Sequence, residues 1–142
     1  MPWVVGVLVL LAACGDGIPA NGFVCAEDGS CRGSCEDGGC AFECQTAQPC
    51  DFTCDGGECT LEHSAVGPVT LECAGGDCVV SNSGAGVVSL ACPGQGCTLS
   101  CSGAGSCEIL LCSQDCTLDC FGTGACAMSC TDASCVTNTR PP

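Results

Sequence analysis

Residues 96–107 read GCTLSCSGAGSC, and residues 115–126 read DCTLDCFGTGAC, the same phrase 19 positions later. In each, two cysteines lie four positions apart around a central leucine. A glycine-rich break follows, and another cysteine resumes the pattern. Written as x-C-x-Φ-x-C followed by a turn, with Φ apolar, the phrase extends in both directions. Units begin at Ala20, Ser30, Gly39, Pro49, Glu58, Pro68, Asp77, Val87, Gly96, Ser106, Asp115, Ala125 and Ser134. Their lengths alternate ten and nine residues, so that six copies of a 19-residue double unit fill the span from Ala20 to Ala133. A fixed period of this length is the mark of a stacked repeat architecture.

Within a unit the order is apolar, polar, apolar, polar, apolar, a period of two that belongs to a strand with one buried face. The centres of the ten-residue units are Phe42, Leu61, Val80, Leu99 and Leu118, and those of the nine-residue units Phe52, Leu71, Leu90, Ile109 and Met128. Arg32-Gly33-Ser34 is a weaker early copy. Glycine or proline interrupts nearly every unit after about five residues, too soon for a stable helix. Two alternating strands and two alternating corners, such as Ser102-Gly103-Ala104-Gly105 and Asp55-Gly56-Gly57, make one lap. The expected fold is therefore all-β: a flattened parallel β-solenoid with 19-residue laps, fastened by disulfides. An open antiparallel meander is the alternative, and it would leave the Cys/Leu face wet.

The chain holds 21 cysteines in 142 residues, a disulfide-scaffold composition that implies an oxidising compartment. Cysteines four apart in one strand are roughly 13 Å apart at about 3.3 Å per residue, beyond the roughly 7 Å a disulfide spans. Each must pair outside its strand, and the nearest partner lies across the turn. That gives Cys25–Cys31, Cys35–Cys40, Cys44–Cys50, Cys54–Cys59, Cys73–Cys78, Cys92–Cys97, Cys101–Cys107, Cys112–Cys116, Cys120–Cys126 and Cys130–Cys135. Two turns lack cysteine on both sides, His63 facing Val69 and Asn82 facing Val88, as pairing across the turn requires. Pairing within a lap, as in Cys40–Cys54 and Cys59–Cys73, also fits the spacing, although it strands Cys35 and Cys135.

Pairing across the turns leaves out Cys14, which follows an apolar run, MPWVVGVLVLLAA, too short to span a membrane. Leu11-Ala12-Ala13-Cys14 resembles the lipobox of bacterial lipoprotein signals, without the usual Lys or Arg before the apolar run. The resemblance implies a signal peptide over 1–13 and a lipid on Cys14, with 14–19 as anchor and linker. The repeat domain then covers 20–142. Gly15 after the cysteine, in place of aspartate, implies outer-membrane sorting. A linker of this length reaches roughly 12 Å, which holds the domain close to the membrane. The repeat itself is similar in its short turns and inward cysteines to the small cysteine-rich β-solenoids of insect antifreeze proteins.

Sixteen acidic residues against two arginines give a net charge of −14, which disfavours nucleic acid as a partner. His63 is the one histidine, and no nucleophile elbow, phosphate loop or nucleotide fingerprint occurs. The expectation is a non-catalytic envelope lipoprotein with a structural, adhesive or protein-interaction role, its partner an envelope or extracellular protein and its contact surface the solenoid sides. No cofactor is required. Calcium is the alternative: Asp37, Asp55, Glu58, Asp77, Asp115 and Asp132 fall on one class of turn, where stacking would align them into a column of oxygen ligands. A third reading, ice binding, rests on the outward row Ala41, Thr60, Val79, Thr98, Thr117 and Val136, whose flatness is broken by Glu43, Glu62, Ser81, Ser100 and Asp119 beside it.

Overall fold

A computed structural model describes residues 22–25 and 29–140; the proposed signal and Cys14 lie outside them. The described chain is built from thirteen short strands. Seven form one sheet: β1 (Phe23–Cys25), β3 (Ala41–Cys44), β5 (Thr60–His63), β7 (Val79–Asn82), β9 (Thr98–Cys101), β11 (Thr117–Cys120) and β13 (Val136–Thr139). Six form the other: β2 (Cys31–Cys35), β4 (Cys50–Cys54), β6 (Val69–Cys73), β8 (Val88–Ala91), β10 (Cys107–Cys112) and β12 (Cys126–Cys130). Odd strands pair only with odd and even only with even, always in parallel, as a chain winding lap on lap requires. The fold is the β-solenoid expected from the period, and the antiparallel meander is set aside.

Register follows the repeat. Thr60 pairs with Val79, Val79 with Thr98, and Thr98 with Thr117, each step 19 residues. A column of like residues therefore forms at every strand position. The central column of the odd sheet, Phe42, Leu61, Val80, Leu99 and Leu118, is at most 1 % exposed. Facing it are Phe52, Leu71, Leu90 and Ile109, equally buried. With one central apolar residue per strand, flanked by cysteine except at His63, Val69, Asn82 and Val88, the core is one such residue wide on each sheet. At the N-terminal end Gly33 aligns with Phe52 and brings no side chain. Aromatic rings fill that rung instead: Phe42 stacks on Phe52 at 4.5 Å, and Phe23 meets Phe52 edge-on at 6.2 Å.

The register breaks once. β10 is six residues long because Cys107 and Cys112 are five apart, and pairing shifts from Ile109↔Met128 to Cys112↔Cys130. Leu111 is the extra residue: it adopts φ 57° and is 67 % exposed. The following corner is one residue shorter, so the lap still totals 19 and Gln95 pairs with Gln114 in register.

Candidate functional site

All ten disulfides join the cysteines that face each other across a turn, with Cα–Cα distances of 6.1 to 6.5 Å. Pairing within a lap does not occur among them. The first corner, which leads from an even strand to the next odd one, carries six bridges in an unbroken stack from Cys35–Cys40 to Cys130–Cys135. The second corner carries four, Cys25–Cys31, Cys44–Cys50, Cys101–Cys107 and Cys120–Cys126, with a gap in the middle.

A buried polar pair occupies the gap. His63 and Asn82 stand in the column between Cys44 and Cys101, and each is 1 % exposed. Asn82 Oδ1 accepts from the Gly84 amide at 3.0 Å, and Asn82 Nδ2 donates to the Gly86 carbonyl at 3.3 Å. Those two bonds orient the amide. Oδ1 also lies 2.9 Å from His63 Nδ1, so Nδ1 carries the hydrogen and donates it. His63 Nε2 is then an acceptor, and it meets no hydrogen-bond partner. An imidazole held this way has no access to a substrate. Opposite the pair, Val69 and Val88 close the core. The sequence placed His63 and Asn82 in inward slots; their hydrogen bond, one lap apart, was the missed part, legible only once the 19-residue register is taken to place them side by side.

The acidic residues do not form the single column expected from their corner. The 19-residue register sorts them into three positions. Asp37 stacks on Gly56, against which its backbone packs closely, and Asp132 shares this position, with Gly75, Gly94 and Ser113 also between them. Asp55 follows Glu36 one position earlier. Glu58, Asp77 and Asp115 share a third position with Gly39 and Gly96. The reason for this last set is conformational. Gly39, Glu58, Asp77, Gly96 and Asp115 have φ between 55° and 72°, the left-handed region that admits glycine and, next best, aspartate. Asp132 is engaged locally, accepting from the Ser134 amide at 2.8 Å. Among the described residues, every trio of potential ligand atoms within 4.8 Å of one another consists of cysteine sulfurs: Cys35, Cys54 and Cys59; Cys54, Cys73 and Cys78; and Cys112, Cys116 and Cys135. All of these sulfurs are in disulfides.

The outward row of the odd sheet runs from Ala41 through Thr60, Val79, Thr98 and Thr117 to Val136 in unbroken register. Beside it runs a polar row, Glu43, Glu62, Ser81, Ser100, Asp119 and Asn138, in which Asn138 Nδ2 donates to Asp119 Oδ1 at 2.7 Å. On the even sheet Arg32 lies 3.6 Å from Asp51, both well exposed, an ion pair of small energetic weight. The second corner carries no charge over five laps, from Gln45-Thr46-Ala47-Gln48-Pro49 to Phe121-Gly122-Thr123-Gly124-Ala125. The first corner carries Glu36, Asp37, Asp55, Glu58, Asp77, Asp115 and Asp132. The solenoid therefore has two sheet faces, one anionic edge and one edge that is uncharged over the five laps from Gln45 to Ala125. Comparison with protein-family models, with curated proteins and with solved structures finds no match to this chain.

Proposed function

We propose that the chain is a non-catalytic lipoprotein of the cell envelope, tethered through a lipid on Cys14, whose rigid solenoid presents its sheet faces to another envelope or extracellular protein. The observation that carries the reading is the interior: one central apolar side chain per strand, flanked mostly by disulfides, with the one imidazole buried and bonded to Asn82. Such a body has rigidity and extended surface to offer, and the interior of its described residues is filled by side chains. The in-register outward rows provide a repeating surface of the kind solenoids use for extended contacts. Ten disulfides suit an exported protein that must keep its shape outside the cytosol.

The anchor is tested by fractionating cells that express the full chain and the Cys14→Ala variant. The native chain is expected in the membrane fraction, with a diacylglyceryl thioether on its N-terminal peptide; the variant is expected to leave that fraction. An unmodified Cys14, or a variant that stays membrane-bound, overturns the anchor. The contact role is tested by photo-crosslinkers placed at Thr98 and, for comparison, at Ala104 on the uncharged corner. Specific capture of one envelope protein through the sheet face supports the role, and capture through neither position rejects it.

A further inference from the structure

The geometry points to a thiol–disulfide exchange site at the C-terminal end of the first corner, where the Cys130–Cys135 bridge receives reducing equivalents from a small dithiol and passes them to the buried Cys112–Cys116 bridge. Three observations converge. Among the described residues Cys130 and Cys135 are only partly buried, whereas Cys112 and Cys116 are 0 % exposed. Cys135 Sγ lies 3.6 Å from Cys112 Sγ without being bonded to it, just outside the roughly 3–3.5 Å separation of a near-attack pair. All three sulfurs, those of Cys112, Cys116 and Cys135, fall within 4.8 Å of one another, so Cys135 meets the inner bridge from the side and comes into line with it by turning about its own Cα–Cβ bond once its bridge is open. The Cys120–Cys126 bridge at the other corner is also partly exposed through Cys126, yet its sulfurs join no such trio. Access and contact with an inner bridge therefore coincide at one place.

The reaction balances without a further oxidant. The dithiol is oxidised to its disulfide as the Cys130–Cys135 bond is reduced to two thiols. Cys135 gives its proton to solvent, and the thiolate attacks Cys112 Sγ. The Cys135–Cys112 bond forms, the Cys112–Cys116 bond breaks, and the electron pair leaves on Cys116 Sγ, which then takes up a proton. The two thiols end on Cys130 and Cys116, so the reducing equivalent has moved into the core while the lap stays covalently tied.

The test is partial reduction of the oxidised full chain with one equivalent of dithiothreitol at about pH 8, near the ordinary thiol pKa. Acid quenching, alkylation with N-ethylmaleimide and non-reducing peptide mapping follow. The expected result is loss of label from Cys135 in favour of Cys116, together with a Cys112–Cys135 cross-linked peptide. Label confined to Cys130 and Cys135, with Cys112–Cys116 intact, overturns the proposal. A Cys130→Ser/Cys135→Ser double variant removes the entry point, and labelling of Cys116 is then expected to slow at least tenfold. If Cys116 is labelled as fast as in the native chain, the inner bridge is reduced directly and no transfer occurs.

Discussion

The two corners of the solenoid solve the same problem differently. Each must hold two sheets together over a core one residue wide. The first corner does it with six stacked disulfides and tight loops in which glycine or an acidic residue takes a left-handed conformation. The second corner is interrupted, and across two laps it is closed by Asn82, which accepts hydrogen bonds from His63 Nδ1 and the Gly84 amide and donates one to the Gly86 carbonyl. A covalent bond there acts chiefly by restricting the unfolded chain, whereas the polar pair acts only in the folded one. The covalent corner tolerates sequence variety in its loops. The hydrogen-bonded corner depends on particular atoms, and at both corners glycines lie close against the main chain of the neighbouring lap.

The largest expected effect comes from abolishing the difference. Closing a loop of about six residues contributes roughly 2 kcal/mol in the chain-entropy model. Ten such loops come to an order of 20 kcal/mol, above the roughly 5–15 kcal/mol net stability of typical domains. Full reduction with alkylation is therefore expected to unfold the chain at room temperature. Loss of the β circular-dichroism signal and of any thermal transition would record it; a reduced, alkylated chain that still melts cooperatively would show that the apolar core suffices.

Next comes the second corner's packing. A Cβ added at Gly105 would run into the backbone carbonyl of Gly86 on the lap below. No flexible side chain can yield there, since the obstacle is main chain. Gly105→Ala is expected to cost about 3 kcal/mol, the upper end for overpacking, read as a shift in the denaturant midpoint. Gly39, whose added Cβ would meet nothing within 4 Å, has φ 70° and tests the first corner by conformation alone. Gly39→Ala should cost only about 1 kcal/mol. Equal losses at the two sites would show that close approach of the neighbouring main chain adds nothing to the conformational cost.

How much of this could be read from residues alone follows the same division. Strands and lap length were legible because each rests on spacing: alternation sets the buried face and 19 sets the register; a rigid strand forbids Cys40–Cys44, but spacing left both across-turn and within-lap pairing open for the cysteines. The acidic column was misread because the residues were sorted by corner and not by position within it; Asp55 and Glu58 share a loop but stand three residues apart and so join different columns. His63 and Asn82 were placed in the correct slots, yet a hydrogen bond between side chains one lap apart depends on rotamers that spacing does not specify. The five-residue interval from Cys107 to Cys112 was visible as a departure from four, but which residue bulges out was not.

The third prediction converts the gap into a staple. His63 and Val69 occupy the slots filled on neighbouring laps by Cys44–Cys50 and Cys101–Cys107, whose Cα–Cα distances are 6.3 and 6.5 Å. The His63→Cys/Val69→Cys variant is expected to form an eleventh bridge and to gain about 2 kcal/mol. Asn82 keeps its bonds to Gly84 and Gly86 in that variant, so little is lost in exchange. In contrast, Asn82→Ala strands the Gly84 amide, the Gly86 carbonyl and His63 Nδ1, and a loss of about 3 kcal/mol is expected. Opposite signs for the two variants would confirm that hydrogen bonding carries this stretch; a loss in both would mean that the gap requires the imidazole's volume.

The smallest effect tests the one place where the first corner departs from its own pattern. Leu111 is a non-glycine residue at φ 57° in a bulge, with its side chain mostly in solvent, so it is held in a left-handed conformation with little burial in return. Such a conformation costs roughly 1–2 kcal/mol for a residue with a Cβ, and glycine's extra unfolded-state freedom takes back about 0.5–1 kcal/mol. Leu111→Gly is thus expected to stabilise by about 0.5–1 kcal/mol, raising Tm by about 2–4 °C. Leu111→Ala keeps the Cβ and should leave Tm unchanged, which separates backbone strain from removal of an exposed apolar side chain. If alanine stabilises as much as glycine, the gain comes from the lost side chain, and the bulge at Cys107–Cys112 stores no strain that the six bridges of its corner must hold.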